Sequence, residues 1–158
     1  MRLFAYIGGG ADLILRKRGH TPKPLPRVAV CYVESAVTRT VVDRLTQLDF
    51  CTPLPFLSDE PENVLWSCRK EQPDVLLLET MPDAMERLDD PSKDIAGRCE
   101  TAARVREELP DCRVYLICAE EFRRLEPVMQ KAVDTRLIDG YCFGALTYQW
   151  IKDCIYPP

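Results

Sequence analysis

Histidine is almost missing from these 158 residues, and His20 is the single example. A Cys-His or Ser-His-Asp arrangement would therefore depend on one residue, which stands beside Pro22, Pro24 and Pro26 in a stretch that reads as an extended linker. Eight cysteines occur, at positions 31, 51, 68, 99, 112, 118, 142 and 154, but none are spaced CxxC, and no pair is closer than Cys112 and Cys118. Without paired close ligands a zinc site is not expected, and no metal or cofactor is assigned. Most of these cysteines fall inside strand or helix patterns, so they read as buried thiols, and many unpaired thiols point to a reducing, cytoplasmic setting. No stretch of about eighteen apolar residues is present, and the longest runs, such as Val75 to Leu78, have the length of a strand; a membrane partner is not expected. Gly8-Gly9-Gly10 lacks the GxGxxG spacing of a phosphate-cradling loop.

The composition that remains suits one core: 46% of residues are hydrophobic, and the length is too short for two ordinary domains. The formal charge of −4 is unevenly spread, because residues 1 to 27 carry a local +5 and leave −9 for the rest. A body of that sign repels phosphates and has no run of interleaved basic and aromatic residues, so nucleic acid is not an expected partner. Residues 1 to 26 form an extension with two apolar pieces, Leu3 to Ile7 and Ala11 to Leu15, which a small hairpin could join. Asp12 interrupts the apolar part and the basic cluster Arg16, Lys17 and Arg18 follows it, an order unlike a secretory signal. That cluster is a candidate docking element for a protein partner.

From Arg27 onward apolar strands alternate with helical patterns. Val28 to Val33 reads as a strand, and Ser35 is placed to cap a helix from Ala36 to Leu48. A second strand over Phe50 to Leu57 contains Pro53 and Pro55, which suit an edge, and Pro61 opens a helix to Gln72. Val75 to Glu79 is apolar on both faces, as a central parallel strand is. A long acidic loop, with Asp83, Glu86, Asp89, Asp90 and Asp94, then leads to a helix marked by Ile95, Cys99, Ala102 and Leu109. Its charges read as a solvated loop, since calcium-loop spacing is absent. Arg113 to Cys118 is the fourth strand, Phe122, Leu125, Met129 and Ala132 mark the fourth helix, and Gly140 to Phe143 is the fifth strand. A last helix carries Leu146, Trp150 and Cys154 on one face. Five βα units predict an α/β fold with a doubly wound, five-stranded parallel sheet over residues 27 to 158.

Within those units stand the phrases Pro73-Asp74-Val75-Leu76-Leu77-Leu78-Glu79, Met81-Pro82, Leu116-Ile117-Cys118-Ala119-Glu120 and Asp139-Gly140-Tyr141. In order and spacing they resemble the receiver domain of bacterial response regulators, a flavodoxin-like fold, over residues 27 to about 156. The resemblance implies an aspartate phosphoryl acceptor after strand three, an acidic pair after strand one for Mg²⁺, a hydroxyl after strand four and a lysine after strand five. Here the acceptor position is Glu79, the acidic pair falls on Tyr32 and Val33 with only Glu34 left, the hydroxyl is replaced by Cys118, and the lysine by Gly144. A transferring phosphoryl group needs metal and cations to offset its charge, and the metal needs hard oxygen ligands. Tyr141 falls on the aromatic that receivers rotate, although a tyrosine on a short strand is more often simply packed and hydrogen-bonded, and packing is the favoured reading.

The expectation is therefore a degenerate receiver that is not an enzyme and is not phosphorylated in the usual way. It would bind protein as an adaptor or assembly subunit in signalling or in a larger complex, since no output domain follows the fifth helix. Its partner, which could be a second copy in a homodimer, would use the extension or the surface of helix four, strand five and helix five. Glu79 would be either a solvated carboxylate or an imitation of the charged state. The alternative is a small-molecule binder or enzyme built from Glu34, Glu79, Cys118 and the loop over 80 to 94.

Overall fold

The computed structural model describes residues 24–31, 36–56, 58–80 and 91–158. The extension with Arg16, Lys17 and Arg18, the positions Tyr32, Val33, Glu34 and Ser35, and most of the acidic loop lie outside the described residues. The elements alternate without exception: β1 (Arg27–Cys31), α1 (Ala36–Thr46), β2 (Thr52–Phe56), α2 (Pro61–Glu71), β3 (Val75–Glu79), α3 (Pro91–Glu108), β4 (Arg113–Cys118), α4 (Glu126–Asp134), β5 (Gly140–Phe143) and α5 (Tyr148–Ile155). The five strands form one sheet in the order β2-β1-β3-β4-β5, and every pairing is parallel. This is the doubly wound, flavodoxin-like order expected from five βα units.

Strand alternation divides the core into two layers. Leu76 and Leu78 of β3 and Val114 and Leu116 of β4 meet α2, α3 and α4 on one face. Val75, Leu77, Tyr115 and Ile117 meet α1 and α5 on the other. Every residue of β3 is buried, and a fully buried leucine contributes about 1.5–3 kcal/mol. Pro61 begins α2 without needing an N–H, and Thr147 caps α5 by accepting from the Trp150 N–H at 3.1 Å.

Three expectations change. The fourth helix is split: Glu120–Leu125 is a 3-10 segment with Phe122 at φ −100° and ψ 16°, and the α-helix starts only at Glu126. Pro127 explains this, because it has no N–H to donate to the Arg123 carbonyl four residues back and its ring crowds that carbonyl, so it is tolerated only in the first turn of the helix. On α5 the buried residues are Ile151, Cys154 and Ile155, while Leu146 is buried ahead of the helix. Trp150 sits at the margin, edge-on to Tyr115 with ring centroids 5.7 Å apart. Asp94 belongs to the first turn of α3, which begins at Pro91, so it is a helix residue and not a loop residue.

Charged side chains fasten the lower end of the sheet, where the strands begin. Arg113 donates from Nε to the Cys154 carbonyl (3.1 Å) and from Nη2 to the Ile155 carbonyl (2.7 Å), tying the last turn of α5 to β4. Asp139 accepts from the Val114 N–H at 2.7 Å and also holds Arg106. The two sheet edges differ. Thr52 donates to the Pro26 carbonyl at 2.8 Å, so alternation turns Pro53 and Pro55 to the open side of β2, where neither has an N–H to offer.

All eight thiols are free, and seven are buried. Burial pushes the Cys118 thiol up to about 11 and those of Cys68 and Cys112 up to about 12, from an ordinary value of 9.0. It also lifts the Tyr115 hydroxyl to about 12. An acid whose proton is held more tightly in the folded state stabilises the fold fully below its unfolded pKa, and that stability is lost as pH rises through the folded value. The melting temperature is expected to hold steady up to about pH 9 and then fall steeply towards pH 11, each thiol adding a slope of about 1.4 kcal/mol per pH unit. Thermal melts followed by circular dichroism across that range measure this; a flat profile to pH 11 would contradict it.

Candidate functional site

In an open parallel sheet the carboxyl ends of the strands form the crevice where ligands bind, so the edge holding Cys31, Glu79, Cys118 and Phe143 is the candidate site. Glu79 closes β3 and is 3% exposed, which removes the reading of it as a solvated carboxylate. Thr80 follows it, fully buried, with its N–H donating to the Ile117 carbonyl at 2.8 Å. Continued alternation turns Glu79 towards the α1 and α5 layer and Thr80 towards the layer of α2, α3 and α4.

Cys118 ends β4 on the Thr80 side, and its thiol is pushed up to about 11, first by burial and then by the nearby Glu79 charge, while the Thr80 hydroxyl opposes the shift. Thr80 Oγ1 nevertheless has no partner in ordinary hydrogen-bond geometry, which makes the thiol a neighbour more than a full partner. At neutral pH Cys118 is thus a neutral thiol, a weak donor and no nucleophile. Asp94, at the start of α3, lies close enough to raise the same thiol slightly.

Gly144 lies just beyond β5 with its N–H bonded to the Cys118 carbonyl at 2.8 Å. Its φ is +76°, a left-handed conformation that favours glycine, and a Cβ there would sit 3.1 Å from Glu120 Oε2. That carboxylate is in turn held by Arg123, which donates to both of its oxygens at 2.5 and 2.7 Å. The Arg123 guanidinium lies 5.3 Å from the Phe143 ring and 4.0 Å from Glu126. The position matched to a lysine is therefore a left-handed glycine beside a closed carboxylate–guanidinium pair.

Sequence reading missed Arg98. On α3 it is 8% exposed, and its Nη2 and Nη1 donate to Asp59 Oδ2 (2.5 Å) and the Asp59 carbonyl (3.1 Å). Its charge also reaches the buried Cys31 thiol. The two residues are 39 apart in sequence, and nothing but the fold brings them together. Tyr141 is packed edge-on to Phe143, with centroids 5.8 Å apart, and its hydroxyl lies 2.9 Å from Gln130 Oε1 and 3.2 Å from Glu126 Oε1. Two surface grooves lie on the helical flanks. One, of about 500 Å³, is formed by β2 and α2 around Trp66, and the other, of about 540 Å³, runs between α3 and α4. Among the described residues no group of histidine, cysteine and acidic side chains could hold a metal ion, and no helix is long and apolar enough to cross a membrane.

Replacing Gly144 by lysine tests the geometry. Gly144→Lys is expected to lower stability by roughly 1–2 kcal/mol in urea unfolding through left-handed strain, and Gly144→Asn by less. Equal, negligible losses would show that the turn does not depend on glycine.

No protein-family model matches this chain, and no curated protein matches it either.

Proposed function

We propose that this chain is a non-catalytic, receiver-like module that binds another protein, as an adaptor or assembly subunit in signalling or in a larger complex. The observation that carries the reading is the pairing beside Gly144. Where a receiver needs a free cation above the acceptor, Arg123 has both Glu120 oxygens as partners, and the neighbouring Cys118 is a buried, neutral thiol. Phosphoryl transfer depends on positioning and electrostatic stabilisation, and a cation already neutralised by a carboxylate supplies little of either.

The surfaces proposed for a partner are the face of α4, β5 and α5 and, outside the described residues, the extension carrying Arg16, Lys17 and Arg18. Exposed Tyr148 and Tyr156 stand on α5 and just after it. The arrangement also speaks against nucleophilic chemistry by Cys118, because that role needs a thiol that ionises near neutral pH and burial holds this one well above it.

Incubating the full chain with Mg²⁺ and a small acyl phosphate, then measuring the intact mass, is expected to show no phosphoryl adduct. An adduct mapped to Glu79 would overturn the reading. Tagged full-length protein purified gently from its native source should carry a stoichiometric protein partner. If the charge reversals Arg16→Glu, Lys17→Glu and Arg18→Glu release that partner the interface is the extension, and if they do not it lies on the body. No partner with either form, together with a metabolite that raises the melting temperature, would favour a small-ligand site instead.

A further inference from the structure

The two edges of the sheet are treated differently, and the difference is a matter of hydrogen-bond bookkeeping. On β2 the outward positions are Pro53 and Pro55, so that edge has carbonyls but no donors and resists strand addition. On β5 the register with β4 and the Gly144 N–H to Cys118 carbonyl bond turn Gly140, Cys142 and Gly144 inward. Tyr141 and Phe143 therefore direct their N–H and C=O groups to the open side, and neither N–H has a partner among the described residues. The strand Gly-Tyr-Cys-Phe has no proline, charge or lysine to blunt that edge.

The side chains along the edge are drawn back from it. Tyr141 is held over α4 by Gln130 and Glu126, and Cys142 lies against the layer of α1 and α5. The strand ends differ in charge. Beside Phe143 stand two carboxylates and one guanidinium, Glu120, Glu126 and Arg123, a net negative group. Beside Gly140 the Arg106 guanidinium is balanced by Asp139 and also donates to the Arg136 carbonyl. An antiparallel copy of the same strand sets each negative end against a balanced one, while a parallel copy sets the two negative ends together.

We propose that β5 pairs antiparallel with β5 of a second copy of this chain, about a two-fold axis through Cys142, joining the two sheets into one. In that register Tyr141 and Phe143 exchange hydrogen bonds with Phe143 and Tyr141 of the other copy, using all the outward groups in an isologous contact. Cys142 then faces its own copy in a non-hydrogen-bonded pair, with Cα atoms about 4.5 Å apart. It is also the one cysteine of the eight that is not buried. That separation lies inside the range a disulfide can bridge. The inference rests on the β5 edge and not on the altered site, so it can fail while the reading as a binding module stands.

Size-exclusion chromatography with light scattering on the full chain is expected to give a dimer, and a monomer at tens of micromolar would overturn the pairing. Tyr141→Pro removes one outward N–H as β2 does, and should give a folded monomer, whereas Tyr141→Thr, which loses the ring and keeps the N–H, should remain a dimer. A folded Tyr141→Pro dimer would overturn it as well. Should that variant fail to fold, diamide decides on the unmodified chain: as the S–S bond forms, each pair of thiols gives up two protons and two electrons, reducing diamide to its hydrazine. A covalent dimer on a non-reducing gel that is lost in Cys142→Ala is expected; no covalent dimer, or one that survives Cys142→Ala, would overturn the proposal.

Discussion

Burial of β3 on both faces is the constraint from which the rest of the structure follows. Val75, Leu76, Leu77, Leu78 and Glu79 are all inaccessible, so apolar layers must lie above and below the same strand. Parallel neighbours cannot be joined by tight turns, and the crossover helices that connect them are the material of those layers. The cost is that whatever stands at the end of β3 is carried partly into the interior. Glu79 is there, and Thr80 beyond it is more enclosed still.

That enclosure shapes the chemistry of the carboxyl end. A thiol beside a carboxylate and a hydroxyl would be a reactive group if water or a cation could stabilise its anion, and Cys118 has instead an apolar setting that holds its proton. Among the described residues, two charged pairs near the edge are closed, Arg98 with Asp59 and Arg123 with Glu120. Exposed pairs such as the second contribute little to stability. The first is different, because Arg98 is nearly buried and its Nε lacks a partner, so loss of Asp59 would leave a guanidinium in the interior without compensation.

Much of the architecture was legible in the sequence because it rests on local pattern. The continuous apolar run of β3, the prolines of β2 and Pro61 at the head of α2 each state their environment directly, and the structure places them accordingly. What was not legible depends on contacts between distant residues or on competition within a short segment. Helical spacing at Phe122, Leu125 and Met129 was real, yet Pro127 prevented one continuous helix. Trp150 had the right spacing for the core of α5, but Ile151 and Ile155 took the inner positions and left the larger ring at the margin. The partnership of Arg98 with Asp59 has no sequence pattern at all, since only the packing of α3 beside the loop after β2 creates it.

The phrases that carry the resemblance to receivers can be separated by what each residue does. Asp139 satisfies the Val114 N–H and holds Arg106 at the start of β5. Gly140 leaves room for the Tyr115 ring, which a Cβ there would approach to 3.0 Å, and Tyr141 is held by its hydroxyl and by Phe143. The Asp-Gly-Tyr phrase thus has a sufficient reason in the geometry of the sheet, as do the leucines of β3. At the positions that the resemblance matches to receiver chemistry stand Glu79, Cys118 and Gly144, and the geometry accounts for their settings too: Glu79 and Cys118 are buried where β3 and β4 end, and Gly144 takes a left-handed turn. Packing constrains both sets of residues whether or not a phosphate is ever bound, so the shared phrases speak for the fold and not for an activity.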